Sequence, residues 1–387
     1  MKASKLSSGI LRAMFLYARC LGLFSFRFRK SSDNVMVVEE TWSNRRSWWN
    51  WFMVILRMVP LCIYVYTYGA WIWDREMTID KVLNSIRLIL SIPCYMSMIY
   101  VKIFHGREVT KLVNRYLKIF RKEKIQNFGK IGRFGGKREL FLIILSLVCQ
   151  VQEIVFLLGI LKWKISVKNV IGWASYTYVV IVSNTILRIS FIWYLSLGVL
   201  YTNLNENVYF DLRAQFYKFR FQINRTRRLK KKLTIFQEIS YVVILLQDIL
   251  NVHLFLNVVQ TLLYIVVISY KMITNRKFSE IWLWILFVKN IIDVFILTLA
   301  IQGASNQIRY TRELVLDIFF VGKSKDWIKL VEMFVTHLNL NEFRVRLLGL
   351  FDVSNHLFLA IVSGIVSYLV FIVQYVIQIR AHKKKTW

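Results

Sequence analysis

Apolar and polar stretches alternate along this chain on the scale of a membrane rather than of a soluble core. Seven runs, at 50–71, 82–101, 140–161, 169–202, 242–270, 281–302 and 354–379, are each long and apolar enough to cross about 30 Å of hydrocarbon as a helix. Aromatic residues mark the edges of the first run. Trp48, Trp49 and Trp51 precede its core and Trp71 and Trp73 close it, a gap that matches the hydrocarbon thickness at about 1.5 Å of rise per residue. The two prolines, Pro60 and Pro93, fall inside runs 1 and 2 and predict local kinks. The pattern predicts an all-α polytopic membrane protein with seven transmembrane helices.

The polar segments divide the chain. Residues 1–49 form an N-terminal segment whose apolar stretch at 10–26 is interrupted by Arg12 and Arg19. No small-residue cleavage pattern follows it, so it predicts an interfacial or re-entrant helix rather than a signal peptide. Residues 50–304 carry helices 1–6, and 305–353 form an anchor region. There Trp327, Leu330, Val331, Phe334 and Leu338 recur at helical spacing. They predict a membrane-proximal helix packed with the extended inner ends of spans 4, 5 and 6, with a subunit interface as its purpose. Residues 354–379 are the seventh span and 380–387 a tail.

Charge sets the orientation. The chain holds 53 Lys and Arg against 22 Asp and Glu, a net charge of +31. In a soluble protein that excess would suggest nucleic acid; here apolar spans cut it into short runs, and no nucleic-acid partner is expected. The N-terminus and the 2–3, 4–5 and 6–7 loops hold 37 basic residues, the other loops and the tail 12. Lys and Arg are retained in the cytoplasm during insertion, so the N-terminus is expected inside and the C-terminus outside. That is the reverse of a G-protein-coupled receptor. Clusters such as Arg225, Arg227, Arg228, Lys230, Lys231 and Lys232 suit contact with anionic membrane lipids.

Reactive chemistry is scarce. Cys62, Cys94 and Cys149 lie in spans and Cys20 in the N-terminal segment, so no disulfide framework is expected. No HExxH, GxSxG, P-loop or GxGxxG occurs, and the five histidines lack ligand spacing. Neither enzymatic activity, a metal nor a cofactor is expected.

The outer halves of the spans are rich in aromatic and polar side chains, which suits a pocket for a small organic molecule. Tyr68, Glu153, Trp173, Tyr176, Tyr264 and Trp284 are the candidate ligand-binding residues. Tyr64 lies among the same group, and the competing account of any one aromatic is an interfacial belt residue. Of the charges within spans, Lys289 and Asp293 are four apart and predict a pair along one helix. Glu153 is expected either to pair with Arg188 or to meet a cationic ligand.

Span 7 carries polar residues at Ser363, Ser367, Gln374 and Gln378, whose spacings of four, seven and four place them on one helical stripe. An unsatisfied amide in hydrocarbon costs several kcal/mol. The stripe is therefore either an interhelical hydrogen-bonding seam or the wall of a water-filled path. Within it, Ser367-Tyr368-Leu369-Val370-Phe371-Ile372-Val373-Gln374-Tyr375 resembles the terminal signature of insect gustatory receptors: Thr-Tyr, five hydrophobic residues, Gln-Phe. Gly349-Leu350-Phe351-Asp352-Val353 resembles that family's entry into the last helix. Ser367 for Thr and Tyr375 for Phe are the departures.

The resemblance implies a ligand-gated, non-selective cation channel in the plasma membrane of gustatory receptor neurons. It implies a homotetramer, or a heterotetramer with other gustatory receptors, opened by a small-molecule tastant, with a bitter compound expected. The last helix would line the pore, with Gln374 and Tyr375 at the gate and Ser367, Phe371 and Gln378 along the same wall. The 6–7 loop, with 7 basic and 6 acidic residues, is the one basic-side segment near neutrality, which would ease cation passage. The alternative is a seven-helix chemoreceptor that signals through partner proteins and conducts nothing.

Overall fold

The computed structural model describes residues 2–21, 26–30, 36–40, 48–74, 79–126, 135–160, 167–213, 222–274, 281–319, 325–340 and 343–385. The helices are α1 (Lys2–Cys20), α2 (Trp48–Trp73), α3 (Ile79–Phe104), α4 (Gly106–Gln126), α5 (Lys137–Ile160), α6 (Val167–Arg213), α7 (Gln222–Thr274), α8 (Ile281–Phe319), α9 (Lys325–Leu340) and α10 (Asn355–Lys385). Two short antiparallel hairpins interrupt them, β1 (Phe26–Lys30) with β2 (Met36–Glu40) and β3 (Arg346–Leu347) with β4 (Phe351–Asp352).

The seven expected spans coincide with α2, α3, α5, α6, α7, α8 and α10. Among the described residues six helices are long and apolar enough to cross a membrane. The described part of α5 is shorter and includes Arg138, Glu139 and Glu153. Pro60 and Pro93 lie inside α2 and α3. The bundle is built around α6, whose side chains from Val182 to Leu200 are nearly all buried.

At the end that carries the basic extensions, α6, α7 and α8 continue as one packed unit. Phe236 of α7 meets Tyr201 of α6 with ring centroids 5.5 Å apart. Asn205 of α6 donates to the Gln307 carbonyl of α8 at 2.8 Å and accepts from Thr311 at 2.6 Å. Against this unit lies α9, with Leu330, Val331, Phe334 and Leu338 buried. Phe334 is edge-on to Phe236 at 5.5 Å.

That placement corrects one expectation. The stripe at 330–338 is a helical packing face, as its spacing predicts, but it is satisfied by α7 and α8 of the same chain and not by another subunit. Any contact between subunits in this region must use the other faces of α9, where Lys329, Glu332, Met333 and Thr336 are exposed.

Three elements went unforeseen, α4 and the two short hairpins. Residues 106–126, expected as loop, form α4, which buries Val109, Leu112, Val113 and Ile119. The β1–β2 hairpin is an antiparallel ribbon whose register sets Phe26 opposite Glu40 and Lys30 opposite Met36. The last helix, α10, continues beyond the expected span to Lys385. No Pro or Gly stops it, and Lys383, Lys384 and Lys385 suit the negative end of the helix dipole. The expected N-terminal helix is α1, which buries Ser7, Leu11, Met14 and Ala18 along one face and packs on α5.

Phe334→Ala should cost about 3–5 kcal/mol by opening a cavity in the α6–α9 core. It should show as a lower unfolding temperature of the detergent-solubilised protein. Met333→Asp on the exposed face of α9 should leave that temperature unchanged. Equal effects would mean that α9 does not pack as described.

Candidate ligand site and candidate pore helix

At the end of the bundle away from the basic extensions, α2 and α6 approach closely because residue 172 is Gly. A Cβ there would lie 3.0 Å from the Thr67 side chain. This approach lets three tyrosines meet. Tyr64 stacks on Tyr68 at 5.4 Å and lies 5.6 Å from Tyr176, and Tyr68 is parallel to Tyr176 at 6.3 Å. Tyr68 also stacks on Trp71 at 5.2 Å and donates to Asn84 Oδ1 at 2.9 Å.

Arg87 of α3 projects into these rings and is only 9% exposed. Its guanidinium donates to the Tyr176 hydroxyl and sits 4.2 Å from the Tyr264 ring centroid and 5.4 Å from that of Tyr176. Around this cage, three buried polar atoms have no hydrogen-bond partner: Trp173 Nε1 and Thr177 Oγ1 on α6, and Gln260 Oε1 on α7. Buried polar atoms are satisfied in the great majority of cases. A group of such exceptions beside an aromatic cage suits ligand recognition.

Of the six candidate ligand residues, the structure brings Tyr68, Tyr176 and Tyr264 together around Arg87, with Trp173 on the same helix as Tyr176. Trp284 is elsewhere: it is 45% exposed on α8, against Phe287 at 6.4 Å. Glu153 belongs to a separate cluster. It accepts from Arg188 at 2.7 Å and from Asn184, and lies 3.5 Å from Lys289. Lys289 in turn meets Asp293 at 3.0 Å, the pair expected from their spacing, and Arg188 lies 3.6 Å from Asp293. The four side chains, from α5, α6 and α8, are at most 5% exposed. Two positive and two negative charges cancel, so Glu153 has no call for a cationic ligand. One turn away, Gln150 hydrogen-bonds Tyr17 of α1, and the Tyr178 hydroxyl donates to the Leu21 carbonyl at 3.4 Å. These contacts pack the N-terminal helix against the bundle.

Sequence reasoning missed Arg87 as a site residue. The available signal was an arginine within a span, in the same half as the tyrosines.

α10 leans on the rest of the chain along one edge only. Ile365 and Ile372 are buried, and Phe358 meets Phe295 of α8 at 4.9 Å. Ser363, Ser367, Gln374 and Gln378 are all exposed, as are Tyr375 and Phe371, the latter at 64%. The start of α10 is fixed by the β3–β4 hairpin. Leu348 at φ 49° and Gly349 at φ 74° make its turn, and Arg346 Nε donates to Asp352 Oδ1 at 3.0 Å. The hairpin is tied to α7 by Gln247 Nε2 to the Arg344 carbonyl, 3.0 Å, and by the Leu348 amide to Asn251 Oδ1, 2.8 Å. The glycine and aspartate of the Gly349–Val353 motif thus have structural reasons: a left-handed turn and a cross-strand ion pair.

The bundle thus carries an aromatic cage at one end and an outward polar stripe on its last helix. Known proteins identify its class. The family described as "7tm Chemosensory receptor" matches residues 11–379. The chain is 33% identical to the putative gustatory receptor 92a of Drosophila melanogaster, over 98% of this chain and 97% of that protein. It is 21% identical to the gustatory receptor for bitter taste 93a of the same species, over 94% and 92% of the two chains. Its fold is similar to that of the insect olfactory receptor OR5 from Machilis hrabei, with a TM-score of 0.68 at 12% identity, covering 97% of this chain and 100% of that one. OR5 in complex with eugenol gives a TM-score of 0.64. The chain belongs to the insect gustatory receptor family.

Removing one member of the charge cluster leaves an uncompensated buried charge, at about 3–5 kcal/mol. Glu153→Gln should therefore lower the unfolding temperature and the yield of folded protein. Combining it with Arg188→Met, which restores neutrality, should recover much of the loss. A double variant worse than the sum of its parts would exclude charge balance as the cluster's role.

Proposed function

We propose that this chain is a subunit of a tetrameric, ligand-gated, non-selective cation channel that detects small-molecule tastants, with bitter compounds foremost. The observation that carries the proposal is the outward polar stripe of α10. A helix that leans on its own chain by one edge, and turns two glutamines away from it, needs a partner other than lipid. Four copies around an axis supply one: the stripes face a water-filled path, and the apolar flanks of α10 meet neighbouring subunits. In this arrangement Gln374 and Tyr375 form the gate, with Ser367, Phe371 and Gln378 along the same wall.

The excess of basic residues in alternate segments supports a cytoplasmic N-terminus and α6–α9 unit, with the tyrosine cage toward the outside of the plasma membrane. There tastants reach it directly. Homologous gustatory receptors are natural partners in a mixed tetramer, and the 305–353 region holds the cytoplasmic base together. The bitter-taste receptor among the relatives and the eugenol complex of OR5 support a small organic ligand.

Currents recorded in cells lacking G-protein signalling test this reading. Ligand-evoked cation current supports it; ligand binding without current favours a receptor that signals through partner proteins. At the gate, carbonyl dipoles of four Gln374 amides can replace part of a cation's hydration shell. Gln374→Ala should change basal current and cation permeability with surface expression retained, and Gln378→Ala should do so more weakly. Ile372→Ala, on the buried edge, should leave permeation alone. Equal small effects at all three positions would make the stripe a packing seam.

A further inference from the structure

We propose that the tyrosine cage takes an acidic ligand, a small apolar or aromatic molecule whose carboxylate is received by Arg87. The inference rests on the cage being the tastant site. An aromatic box usually marks a site for an organic cation, because ring faces are electron-rich. Here Tyr68, Tyr176 and Tyr264, with Tyr64 behind, already surround a cation that belongs to the protein. A protonated amine entering the cage would meet a like charge with little water to screen it.

Arg87 also differs from the other buried charges of the bundle. Arg188 and Lys289 are balanced by Glu153 and Asp293. Among the described residues, Arg87 makes one hydrogen bond, to the neutral Tyr176 hydroxyl, and two ring contacts, and no carboxylate pairs with it. Guanidinium does not deprotonate in proteins and presents five N–H donors in a fork that matches a carboxylate. One of its N–H groups is taken by the Tyr176 hydroxyl, and the others are what remains for an acceptor. The Trp173 indole N–H, buried and unpartnered on α6, is a second donor on the same side of the bundle. The site is therefore short of one negative charge, and an ionised acid supplies it.

The test measures binding, which does not depend on conduction. Purified receptor in nanodiscs is titrated at neutral pH with cinnamate, benzoate, salicylate and hexanoate. Each is compared with its uncharged amide and its amine analogue, by ligand-induced shift in unfolding temperature and by calorimetry. At least one carboxylate should bind roughly ten-fold or more tightly than its amide, the scale of a charge-assisted hydrogen bond, and its amine should not bind. Arg87→Gln should weaken that carboxylate by a similar factor while leaving the amide nearly unchanged, and Arg87→Lys should fall between. Arg87→Lys also guards against misfolding as the cause, since it keeps the charge. No carboxylate outperforming its amine, or full carboxylate binding by Arg87→Gln, overturns the proposal. Cation currents evoked by amines or neutral compounds alone would overturn it while leaving the channel reading intact; acid binding without current would do the reverse.

Discussion

Four ionised side chains held inside an apolar bundle constrain everything around them. Glu153, Arg188, Lys289 and Asp293 come from three helices, and none can leave without stranding the others in a medium that solvates charge poorly. The cluster therefore sets the register of α5, α6 and α8 against one another more strictly than apolar contacts do, since leucines can slide where ion pairs cannot. Because Tyr17 reaches Gln150 one turn away, the N-terminal helix is placed by the same structure. α6, common to the cluster, the tyrosine cage and the α6–α9 core, is the member through which each part is located relative to the others.

The two ends of the bundle solve different physical problems. At one end, long helices bury phenylalanine, tyrosine and leucine against each other, and short polar clasps such as Asn205 with Gln307 and Thr311 fix their alignment. At the other, the chain leaves buried polar atoms without partners and a guanidinium among rings. A protein gains no stability from such an arrangement. Its place is where specificity outweighs stability.

The spans were legible because a 30 Å apolar solvent imposes a length and composition that few other structures share. Lys289 with Asp293 and Glu153 with Arg188 were legible for a related reason: charges so expensive to bury must find each other. What was not legible was which surface each stripe faces. The spacing of Leu330, Phe334 and Leu338 announces burial, yet a buried face looks the same whether its partner is the same chain or another, and only the fold assigns it to α7 and α8. α4 was passed over because its polar residues outnumber its apolar ones, although Val109, Leu112, Val113 and Ile119 fall on one helical face. Arg87 escaped because its meaning depends on what surrounds it, and no residue near it in the sequence foretells three tyrosines from α6, α7 and α2.

The sparse footing of α10 has a consequence for the life of the protein before it reaches the cell surface. A solitary subunit shows lipid two serines, two glutamines and a broad apolar flank on a helix held by a single edge. Its amides have no water and no neighbour there, so an unassembled chain carries a mark of incompleteness inside the membrane itself. Membrane chaperones and degradation machinery respond to polar residues stranded in hydrocarbon. In the proposed tetramer, abundance at the surface would then track the supply of compatible subunits rather than the rate of synthesis, and the proposed pore helix would double as the chain's certificate of assembly.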